Sequence, residues 1–480
     1  MELINYCIEK NVHVYRQGDI NVAYDVNSGS LHVLDDVTQG LILEMVAWQR
    51  KNGLKEFAQI VPNIGLNLIA EEKHEILTEL SALQKQGLLF SPEAEETVLL
   101  YPDEPIIKAM CLHVAHDCNL RCGYCFAGTG PFGGSRQLMS LETGKKALNF
   151  LLDHSGERQQ CEVDFFGGEP LMNFPVVKEL IAYGKEIAAQ AGKKMKFTLT
   201  TNAVLLDQPT ADFLEKEEIS VVLSIDGRKD VNDRMRPFLN GAGSYDRIMP
   251  QILSFARRRP NSSPYATGNY YYVRGTYTHF NTDFYKDVLH LADSGINRIS
   301  VEPVVASPQE EYAFRDEDLT EIKRSYDILG EKVLEYRRDG KEFVFFHFNA
   351  GLDEGPCLVK RLSGCGAGHE YVAISPEGDI YPCHQFVGQE QYKLGSLDDS
   401  EGFLDPKIVQ AFRRAQVYSK EECRSCWARF SCSGGCHAAN TAFSGELTKV
   451  YPLGCELQKK RLEIAYYLKI KEASQRNLLS

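Results

Sequence analysis

The chain has 480 residues, 43% hydrophobic and 25% charged, a balance that is typical of a soluble globular protein with about two to four domains. Its formal net charge of −13 disfavours polyanionic partners, so we expect no nucleic acid to bind, and the short basic run Arg257-Arg258-Arg259 is predicted to be a solvated helix end. Because the sequence has neither a run of roughly 18 apolar residues nor a signal-peptide core, we expect a cytoplasmic protein with no membrane partner.

Residues 1–95 are predicted to form a small separate domain. Apolar alternation predicts strands at 12–15, 20–26 and 31–34, and helical periodicity follows at 38–48, 54–60 and 71–86. Three strands and three helices resemble a winged-helix element of the kind that binds leader peptides, in which an exposed sheet edge pairs with an extended peptide. A DNA-binding winged helix and a simple cap domain are the alternatives, and the acidity of the chain weakens the first of them.

After an acidic, proline-containing linker, six β-then-α units are predicted for residues 106–340. The strands are predicted at 110–115, 162–166, 196–200, 220–224, 270–277 and 298–305, and the helices at 141–152, 175–191, 210–217, 245–258, 283–293 and 319–338. Because parallel strands need crossover connections, which are usually helical, this alternation predicts an α/β fold with a parallel sheet. By analogy with the complete barrel, the chemistry is expected at the C-terminal strand ends.

Cys118, Cys122 and Cys125 follow the first of these strands. Three thiolates can hold three corners of a [4Fe–4S] cluster, which normally takes four ligands, so that one iron would stay open to a substrate or cofactor. Eleven of the fourteen cysteines fall within 118–125 and 357–455, and such clustering indicates metal sites more than disulfides. The alternatives are a zinc site with His116 as fourth ligand, or three unrelated core cysteines.

The spacing C-x3-C-x2-C, with Tyr124 before the last cysteine, resembles the signature of radical S-adenosylmethionine (SAM) enzymes. In that family the open iron chelates SAM, and one electron splits SAM into methionine and a 5′-deoxyadenosyl radical. The resemblance implies a partial (β/α)6 barrel and a low-potential electron donor of the flavodoxin or ferredoxin type.

Further strand ends match positions at which this family contacts SAM. Gly-Gly-Glu-Pro at 167–170 resembles the GGE motif, whose backbone and Glu hold the SAM amino group, and Arg236 matches an arginine that binds the SAM carboxylate. Tyr124 is expected to pack on adenine. The complete set that the resemblance implies for cofactor binding is Tyr124, Gly167, Gly168, Glu169, Asn202, Ser224, Asp226, Arg236 and Glu302. Asn202, Ser224, Asp226 and Arg236 each have an ordinary alternative as a cap or surface group. The alternative for Gly-Gly-Glu-Pro, taken alone, is a simple turn.

Residues 341–480 carry a second field of cysteines, whose spacing resembles the seven-cysteine SPASM pattern: C-x9-15-G-x4-C, C-x2-C-x5-C-x3-C and a final C. SPASM domains carry two auxiliary [4Fe–4S] clusters. The resemblance implies that Cys365, Cys383 and Cys436 hold the first, with Cys357 as a candidate fourth ligand, and that Cys423, Cys426, Cys432 and Cys455 hold the second. Without Cys357 the first cluster has an open iron for a substrate thiolate, whereas with it an electron relay is favoured. A zinc ribbon at 423–436 is the alternative.

The residues that flank the cysteines in both fields resemble a more specific family. HVAHDCNLRC at 113–122, FGG at 132–134, GCGAG at 364–368 and YPCHQF at 381–386 resemble thioether-forming maturases of six-cysteine (SCIFF or ranthipeptide) precursors, over about residues 1–460. This implies three [4Fe–4S] clusters, SAM, and a Cys-rich precursor peptide that its leader docks. A substrate carbon loses hydrogen to the radical, and a Cys sulfur bonds to that carbon. His384 is the candidate general base, although a structural histidine is the commoner role.

Two rival functions stay open. Sulfatase maturases and sactipeptide synthases share the SPASM pattern, so the product can also be a formylglycine or a differently placed thioether. From another class, a metal-binding regulator would use its winged helix on DNA and would not cleave SAM.

Overall fold

The computed structural model describes residues 6–54, 57–93, 96, 99–259, 270–341, 343–349, 358–399 and 404–477. The predicted ligand Cys357 therefore lies outside the described residues. Among the helices of these ranges, none is both long enough and apolar enough to cross a membrane.

The N-terminal part has a three-stranded antiparallel sheet, in the order β1-β2-β3, and its own apolar core. Its elements are α1 (Ile8–Asn11), β1 (Val12–Gln17), β2 (Ile20–Asp25), β3 (Leu31–Leu34), α2 (Asp36–Asn52), α3 (Phe57–Ile60) and α4 (Ala70–Lys85). Helix α2 begins after Asp35, whose carboxylate accepts the N–H of Thr38 at 2.6 Å. Ile42 and Met45 of α2 meet Ile76 and Leu80 of α4 in the core. The three predicted strands are confirmed, and α3 is shorter than the helix predicted there.

The central part contains all six predicted strands and all six predicted helices, with an extra helix, α8, and an extra short strand, β10. The elements are β4 (Ala109–Ala115), α5 (Leu141–Asp153), β5 (Gln160–Gly167), α6 (Phe174–Gln190), β6 (Lys194–Thr201), α7 (Gln208–Lys216), β7 (Ser220–Ser224), α8 (Lys229–Met235), α9 (Tyr245–Arg258), β8 (Tyr271–Tyr277), α10 (Tyr285–Asp293), β9 (Arg298–Pro303), α11 (Asp318–Arg338) and β10 (Val344–Phe345).

The strands β4 to β10 are parallel and lie side by side in chain order, as expected for consecutive right-handed β-α units. The helices pack on the sheet through apolar faces; α5, which begins after the capping residue Ser140, buries Ala147, Leu148 and Leu151. Because all these strands run in one direction, their C-terminal ends share one edge of the sheet, and the loops that follow them meet there.

The C-terminal part continues the same sheet. Its elements are α12 (Leu358–Ser363), β11 (Tyr371–Ile374), β12 (Asp379–Tyr381), β13 (Gly395–Ser396), α13 (Pro406–Arg414), α14 (Glu421–Arg424), α15 (Arg429–Cys432), α16 (His437–Ser444) and α17 (Pro452–Asn477). Strand β11 pairs in parallel with β4, and β12 and β13 follow in antiparallel fashion, so the complete order is β10-β9-β8-β7-β6-β5-β4-β11-β12-β13. The strand that precedes Cys118 is therefore flanked on one side by the C-terminal cysteine field.

Helix α17 connects the three parts. It packs along α11, and Lys460 pairs with Asp327 of that helix at 2.6 Å. On the N-terminal sheet, Tyr15 donates its hydroxyl to the backbone oxygen of Glu463 at 2.9 Å, and Nε2 of His13 lies 3.0 Å from the Glu463 carboxylate. Cys455 lies in its first turns. The position of this one helix therefore ties the N-terminal domain to the cysteine field.

Candidate active site

A cavity of about 190 Å³ lies at the C-terminal edge of the parallel strands. Its walls come from the cysteine loop and from the ends of strands β5 to β9. Most of the sequence-predicted residues line it: Cys118, Cys122, Tyr124, Cys125, Gly167, Gly168, Asn202, Ser224, Arg236 and Glu302. Segments nearly 200 residues apart in sequence thus converge on one site, as the strand order requires.

The cysteine loop is held by its own polar groups. The carboxylate of Asp117 accepts the N–H of Cys118 at 2.8 Å, and the guanidinium of Arg121 donates to the backbone oxygen of Cys118 at 2.6 Å. Burial raises the pKa of Cys118 to about 12, with further contributions from Glu169, Cys122 and Cys125. The three sulfurs are thus close enough to influence one another. Such thiols are protonated at neutral pH until a metal ion displaces the proton.

The arrangement does not suit a single zinc ion. The ring of His116, the fourth zinc ligand considered above, is buried against Phe132, and its Nε2 lies 3.2 Å from Nδ1 of His113. Within the described ranges, no three side chains of His, Cys, Asp or Glu are grouped so as to hold one metal ion. Zinc would draw its thiolates to about 2.3 Å from one centre, whereas a four-iron cluster is larger and bonds each cysteine to a different iron. Three cysteine thiols beside the cavity are the donors that a four-iron cluster with one open iron would take.

Gly167 and Gly168 are required by contact with the cysteine loop. A Cβ on Gly167 would lie 2.1 Å from the backbone oxygen of Ala115, and a Cβ on Gly168 would lie 2.1 Å from that of Asp117. The N–H of Gly168 donates to Ala115 at 2.7 Å, and the N–H of Glu169 donates to Asp117 at 2.8 Å. The two glycines allow a close backbone approach, as expected. The backbone that approaches them is that of Ala115 and Asp117, at the start of the cysteine loop.

Glu169 supports the wall of the cavity from behind. Its carboxylate is fully buried and accepts from the N–H of Leu171 at 3.0 Å, the hydroxyl of Thr201 at 2.7 Å and the N–H of Asn202 at 2.8 Å. Burial raises its pKa, although these hydrogen bonds and Arg236 favour the charged form. Glu169 thus braces the ends of β5 and β6 against each other, and its contact with a SAM ammonium stays a prediction.

That brace positions Asn202 against the cysteine loop. The side-chain amide nitrogen of Asn202 donates to Oδ1 of Asn119 at 2.7 Å and lies 3.6 Å from the sulfur of Cys118. The amide oxygen accepts the N–H of Val204 at 3.0 Å. Asn202 therefore connects the end of strand β6 directly to the first thiol.

Tyr124, Asp226 and Arg236 form one buried polar network. The Tyr124 hydroxyl lies 2.7 Å from each carboxylate oxygen of Asp226, and Nη1 of Arg236 donates to the same hydroxyl at 3.0 Å. Burial raises the pKa of Asp226 to about 6. The Tyr124 hydroxyl thus links the loop to the end of strand β7, and packing of its ring on adenine stays a prediction. Asp226 lies behind it, where it also accepts the N–H of Thr276 at 2.9 Å.

Arg236 has a spare donor. Its Nε atom is buried and has no hydrogen-bond partner within the described residues. Burial opposes the charge on this guanidinium, but Tyr124, Cys122 and Asp226 raise its pKa well above the usual value. A permanently charged guanidinium with an unused N–H at a cavity wall fits a carboxylate ligand. The unpaired Nε is the observation that bears most directly on whether SAM fits this site. The residues present fit the cofactor.

Glu302, which the sequence predicted for this site, has a histidine partner, His347, that sequence reasoning missed. The carboxylate of Glu302 accepts from Ser300 at 2.7 Å and lies 2.8 Å from Nε2 of His347, whose Nδ1 is 3.1 Å from the hydroxyl of Tyr326. Burial raises the pKa of Glu302, but His347 and Arg461 outweigh it and hold this pKa well below its usual value. Arg274 also lines the cavity. Arg274 could have been found from the sequence, because it is a charged residue within the apolar alternation of strand β8.

The C-terminal cysteines fall into the two groups that the SPASM resemblance implies. Besides burial, Cys436 and Cys365 contribute to raising the pKa of Cys383. Burial raises the pKa of Cys423 and of Cys455 to about 12, and the other thiols of their group add to both shifts. The second group, Cys423, Cys426, Cys432 and Cys455, lines a cavity of about 760 Å³ that extends to strand β1 and helix α2.

His384 follows Cys383 directly and packs against two aromatic rings that also contact each other. Its ring centroid is 5.1 Å from that of Phe166 and 5.7 Å from that of Phe126. Both phenylalanines line the cavity at the cysteine loop. Burial lowers the pKa of His384 to about 4, so the imidazole is neutral at pH 7 and is a weak base.

Two family models match the chain in these regions. A 4Fe-4S single cluster domain matches residues 109–249, and the SPASM iron-sulfur cluster-binding domain matches residues 365–427. Among curated relatives, the radical SAM cyclopropyl synthase TigE of Paramaledivibacter caminithermalis is 23% identical, covering 74% of this chain and 72% of the relative. A cysteine-type anaerobic sulfatase-maturating enzyme of Clostridium novyi is 24% identical, covering 67% of this chain and 85% of the relative.

Solved structures share the fold at low sequence identity. Native anSMEcpe with bound AdoMet and Kp18Cys peptide superposes with a TM-score of 0.62 at 18% identity, covering 77% of this chain and all of that one. SuiB of Streptococcus suis bound to precursor peptide SuiA covers 95% of this chain and all of that one, with a TM-score of 0.52 at 17% identity. The family models and the shared fold therefore give this chain a radical SAM/SPASM fold, with the SPASM domain in its C-terminal part.

Proposed function

We propose that this chain is a peptide maturase that installs Cys-sulfur-to-carbon thioether crosslinks in a ribosomally made, cysteine-rich precursor peptide. The observation that carries the proposal is the presence of three cysteine groups, one beside a cavity at the strand ends and two in the C-terminal part. Relatives and structural neighbours that act on or bind peptides and proteins support it. We further propose that it acts in the cytoplasm, where reduced thiols persist.

The residues of the cavity would hold the cofactors as follows. Cys118, Cys122 and Cys125 would bind the cluster that chelates SAM, and Arg236 would pair with the SAM carboxylate through its spare Nε. When bound and reduced by one electron, this cluster and SAM supply a 5′-deoxyadenosyl radical that removes a hydrogen atom from carbon. The rings of Phe126 and Phe166 form an apolar side of the same cavity.

The two C-terminal cysteine groups suit the second half of the reaction. Formation of a C–S bond between a carbon radical and a thiol releases the thiol proton and one electron, so an electron acceptor is needed. Cys365, Cys383 and Cys436, and separately Cys423, Cys426, Cys432 and Cys455, would hold auxiliary [4Fe–4S] clusters that can take this electron. A low-potential flavodoxin or ferredoxin would supply the electron that starts the cycle.

The N-terminal domain would dock the leader. Strand β3 is an edge of its sheet, and the side chain of Val33 on it is 56% exposed. The opposite edge, β1, is covered by contacts with α17. An extended leader can therefore add to β3 by β-augmentation, which raises the effective concentration of a flexible substrate at the cavity.

Anaerobic reconstitution tests the proposal. The wild-type protein should bind about twelve iron and twelve sulfide per chain, the content of three four-iron clusters, and should release 5′-deoxyadenosine from SAM on reduction. The C118A/C122A/C125A variant should release none and keep about eight iron. The matched control is C161A, because Cys161 is buried in the apolar core of the sheet. Absence of 5′-deoxyadenosine with the wild-type protein would refute the proposal.

The product separates this function from its nearest rival. Co-expression with a cysteine-rich peptide and mass spectrometry should show a loss of two hydrogens for each crosslink, with the linked cysteines no longer open to alkylation. The sulfatase-maturating relative makes formylglycine formation the second candidate. That outcome would appear as an aldehyde that reacts with hydrazine reagents, with no crosslink.

A further inference from the structure

Lys420 is a buried lysine in the C-terminal cysteine field that no part of the proposed chemistry has used. Its side chain has no exposed surface, which is rare for lysine. It comes directly before helix α14 and three residues before Cys423. Its ammonium donates to the backbone oxygen of Gly434 at 2.6 Å, in the turn between Cys432 and Cys436. The lysine is therefore anchored between the two segments that carry most of the field.

Thiols of both C-terminal groups act electrostatically on this ammonium, which the hydrogen bond to Gly434 holds beside the turn between Cys432 and Cys436. Burial lowers the pKa of Lys420, and the opposing influences come from Cys423, Cys432, Cys436 and Cys455. Cys436 belongs to the first group, and the other three belong to the second. An ammonium buried in a protein interior is costly unless negative charge compensates it. Here the compensating charge would come from the two sets of thiolate ligands.

We propose that Lys420 is a positive charge shared by the two auxiliary clusters and that it raises the reduction potential of both. The proposal rests on the proposed function, because it requires both cysteine groups to hold clusters. A [4Fe–4S] cluster with thiolate ligands becomes more negative by one charge on reduction, and net charge is one of the factors that set its potential. A fixed neighbouring cation therefore stabilises the reduced form more than the oxidised form, and it does so strongly in a buried site.

The consequence is that both clusters are tuned to accept the electron that closure of the C–S bond releases. Because one ammonium faces both ligand groups, the two potentials are raised together.

Redox titration of the auxiliary clusters tests the role of Lys420. The full-length C118A/C122A/C125A variant serves as the parent, so that electron paramagnetic resonance reports only the C-terminal clusters. In this parent, K420Q keeps an N–H donor for Gly434 but removes the charge, and K420R keeps the charge. K420Q should weaken both one-electron reductions at least tenfold, equivalent to about 59 mV for each, and K420R should change each by less.

Lys459 provides the matched control. It is half-buried, pairs with Glu456 at 3.0 Å and is close to Cys426 and Cys455 of the second group. Because solvent screens it and it faces one group only, K459M should shift only the second cluster, and by less than K420Q does.

Iron analysis separates failure of this inference from failure of the proposed function. If the parent variant binds far fewer than about eight iron per chain, it lacks the auxiliary clusters. That result would refute both the proposed function and this inference. K420Q with full iron but unchanged potentials, or with one potential changed, overturns the inference alone. Iron loss in K420Q and not in K420R supports a charge requirement, whereas iron loss in both variants overturns it.

Discussion

At the scale of single residues, the cavity depends on polar groups that never face it. Glu169 is the clearest case, because three donors from two strand ends converge on its carboxylate. Leaving a buried donor without an acceptor costs about 1–3 kcal/mol. The charge of Glu169 is therefore used to hold Asn202 in place beside Cys118.

The E169Q variant should lower the stability of the apo protein and weaken SAM binding without removing any cysteine. The side-chain amide nitrogen of the new glutamine would face one of the three donors and could not accept its hydrogen bond, at a cost of about 1–3 kcal/mol. The shift of the urea unfolding midpoint and the SAM dissociation constant measure the two effects. The exposed carboxylate of Glu142 offers a control, and E142Q should change stability by less than about 0.5 kcal/mol. Equal behaviour of the two variants would contradict the role of Glu169.

His369 should make folding sensitive to acid. It is 1% exposed, and burial lowers its pKa to about 4. The pKa of histidine in the unfolded chain is near 6.5, so between pH 6.5 and pH 4 the unfolded chain binds more protons than the folded chain. The stability that neutral His369 contributes is therefore complete above pH 6.5 and is lost as the pH falls. The loss approaches about 3 kcal/mol, at 1.36 kcal/mol per pKa unit. In urea titrations of apo protein, H369Q should show a smaller decrease between pH 7 and pH 5 than the wild type. An unchanged slope would show that His369 does not contribute.

Motifs that fix both residue type and position led to Asn202 and Arg236, which line the cavity, while their contacts with SAM stay predictions. Prediction from sequence failed for Arg259, expected to be solvated. The structure buries this guanidinium, which donates to the backbone oxygens of Ile219 at 2.8 Å and Leu214 at 3.2 Å. Three consecutive arginines are equivalent in sequence, and only the direction of the chain at the end of α9 decides which one turns inward.

At the scale of elements, the Gly167-Gly168 pair sets the distance between strand β5 and the cysteine loop. Two backbone hydrogen bonds, at 2.7 and 2.8 Å, run from this turn to the residues that precede Cys118. The loop can adopt its course only while no side chain separates the two backbones.

A methyl group at Gly168 should therefore displace the cysteine loop. In G168A the new Cβ would lie 2.1 Å from the backbone oxygen of Asp117, which cannot yield as a flexible side chain can. We expect reconstituted G168A to lose about four iron per chain and all SAM cleavage while the C-terminal clusters remain. The control is G40A, because a Cβ at this helical position meets no atom within 4 Å. Full iron content in G168A would contradict this account.

The long elements were predictable because their apolar periodicity extends over several turns or strand residues. Strand β7 and helix α9 have the predicted bounds. Strands β11 to β13 have only two to four residues each, too few for a period to be recognised. Their addition to the edge of β4 was therefore missed, since it depends on pairing between segments more than 250 residues apart.

At the scale of the whole molecule, the N-terminal domain is seated on the C-terminal cysteine field. The ring of His13 stacks on Trp427 with centroids 3.8 Å apart and planes 3° from parallel. Arg429 donates to the backbone oxygen of Lys10 at 3.0 Å and to Oδ1 of Asn11 at 2.8 Å. Trp427 lies between Cys426 and Cys432 in sequence, so the joint adjoins the second cysteine group.

The W427A variant should loosen this joint. Loss of the stacked ring removes contact area and should speed proteolysis between residues 99 and 105, where Leu100 is 91% exposed, by several-fold. W427F keeps an aromatic ring and should be intermediate. Timed digestion followed by mass spectrometry measures the rates. Identical rates for all three proteins would show that the domains are held by other contacts.

Helix α17 also imposes an order on biosynthesis. The ribosome makes the N-terminal domain, the sheet and six of the seven described C-terminal thiols before Cys455 and the helix that follows it emerge. Domains begin to fold during synthesis, yet the second cysteine group stays one ligand short, and strand β1 has no Glu463 to contact, until α17 is released. Under the proposed function, iron loading of this group and seating of the N-terminal domain would therefore be late, linked events, and a ribosome stalled before residue 455 would hold a chain with neither.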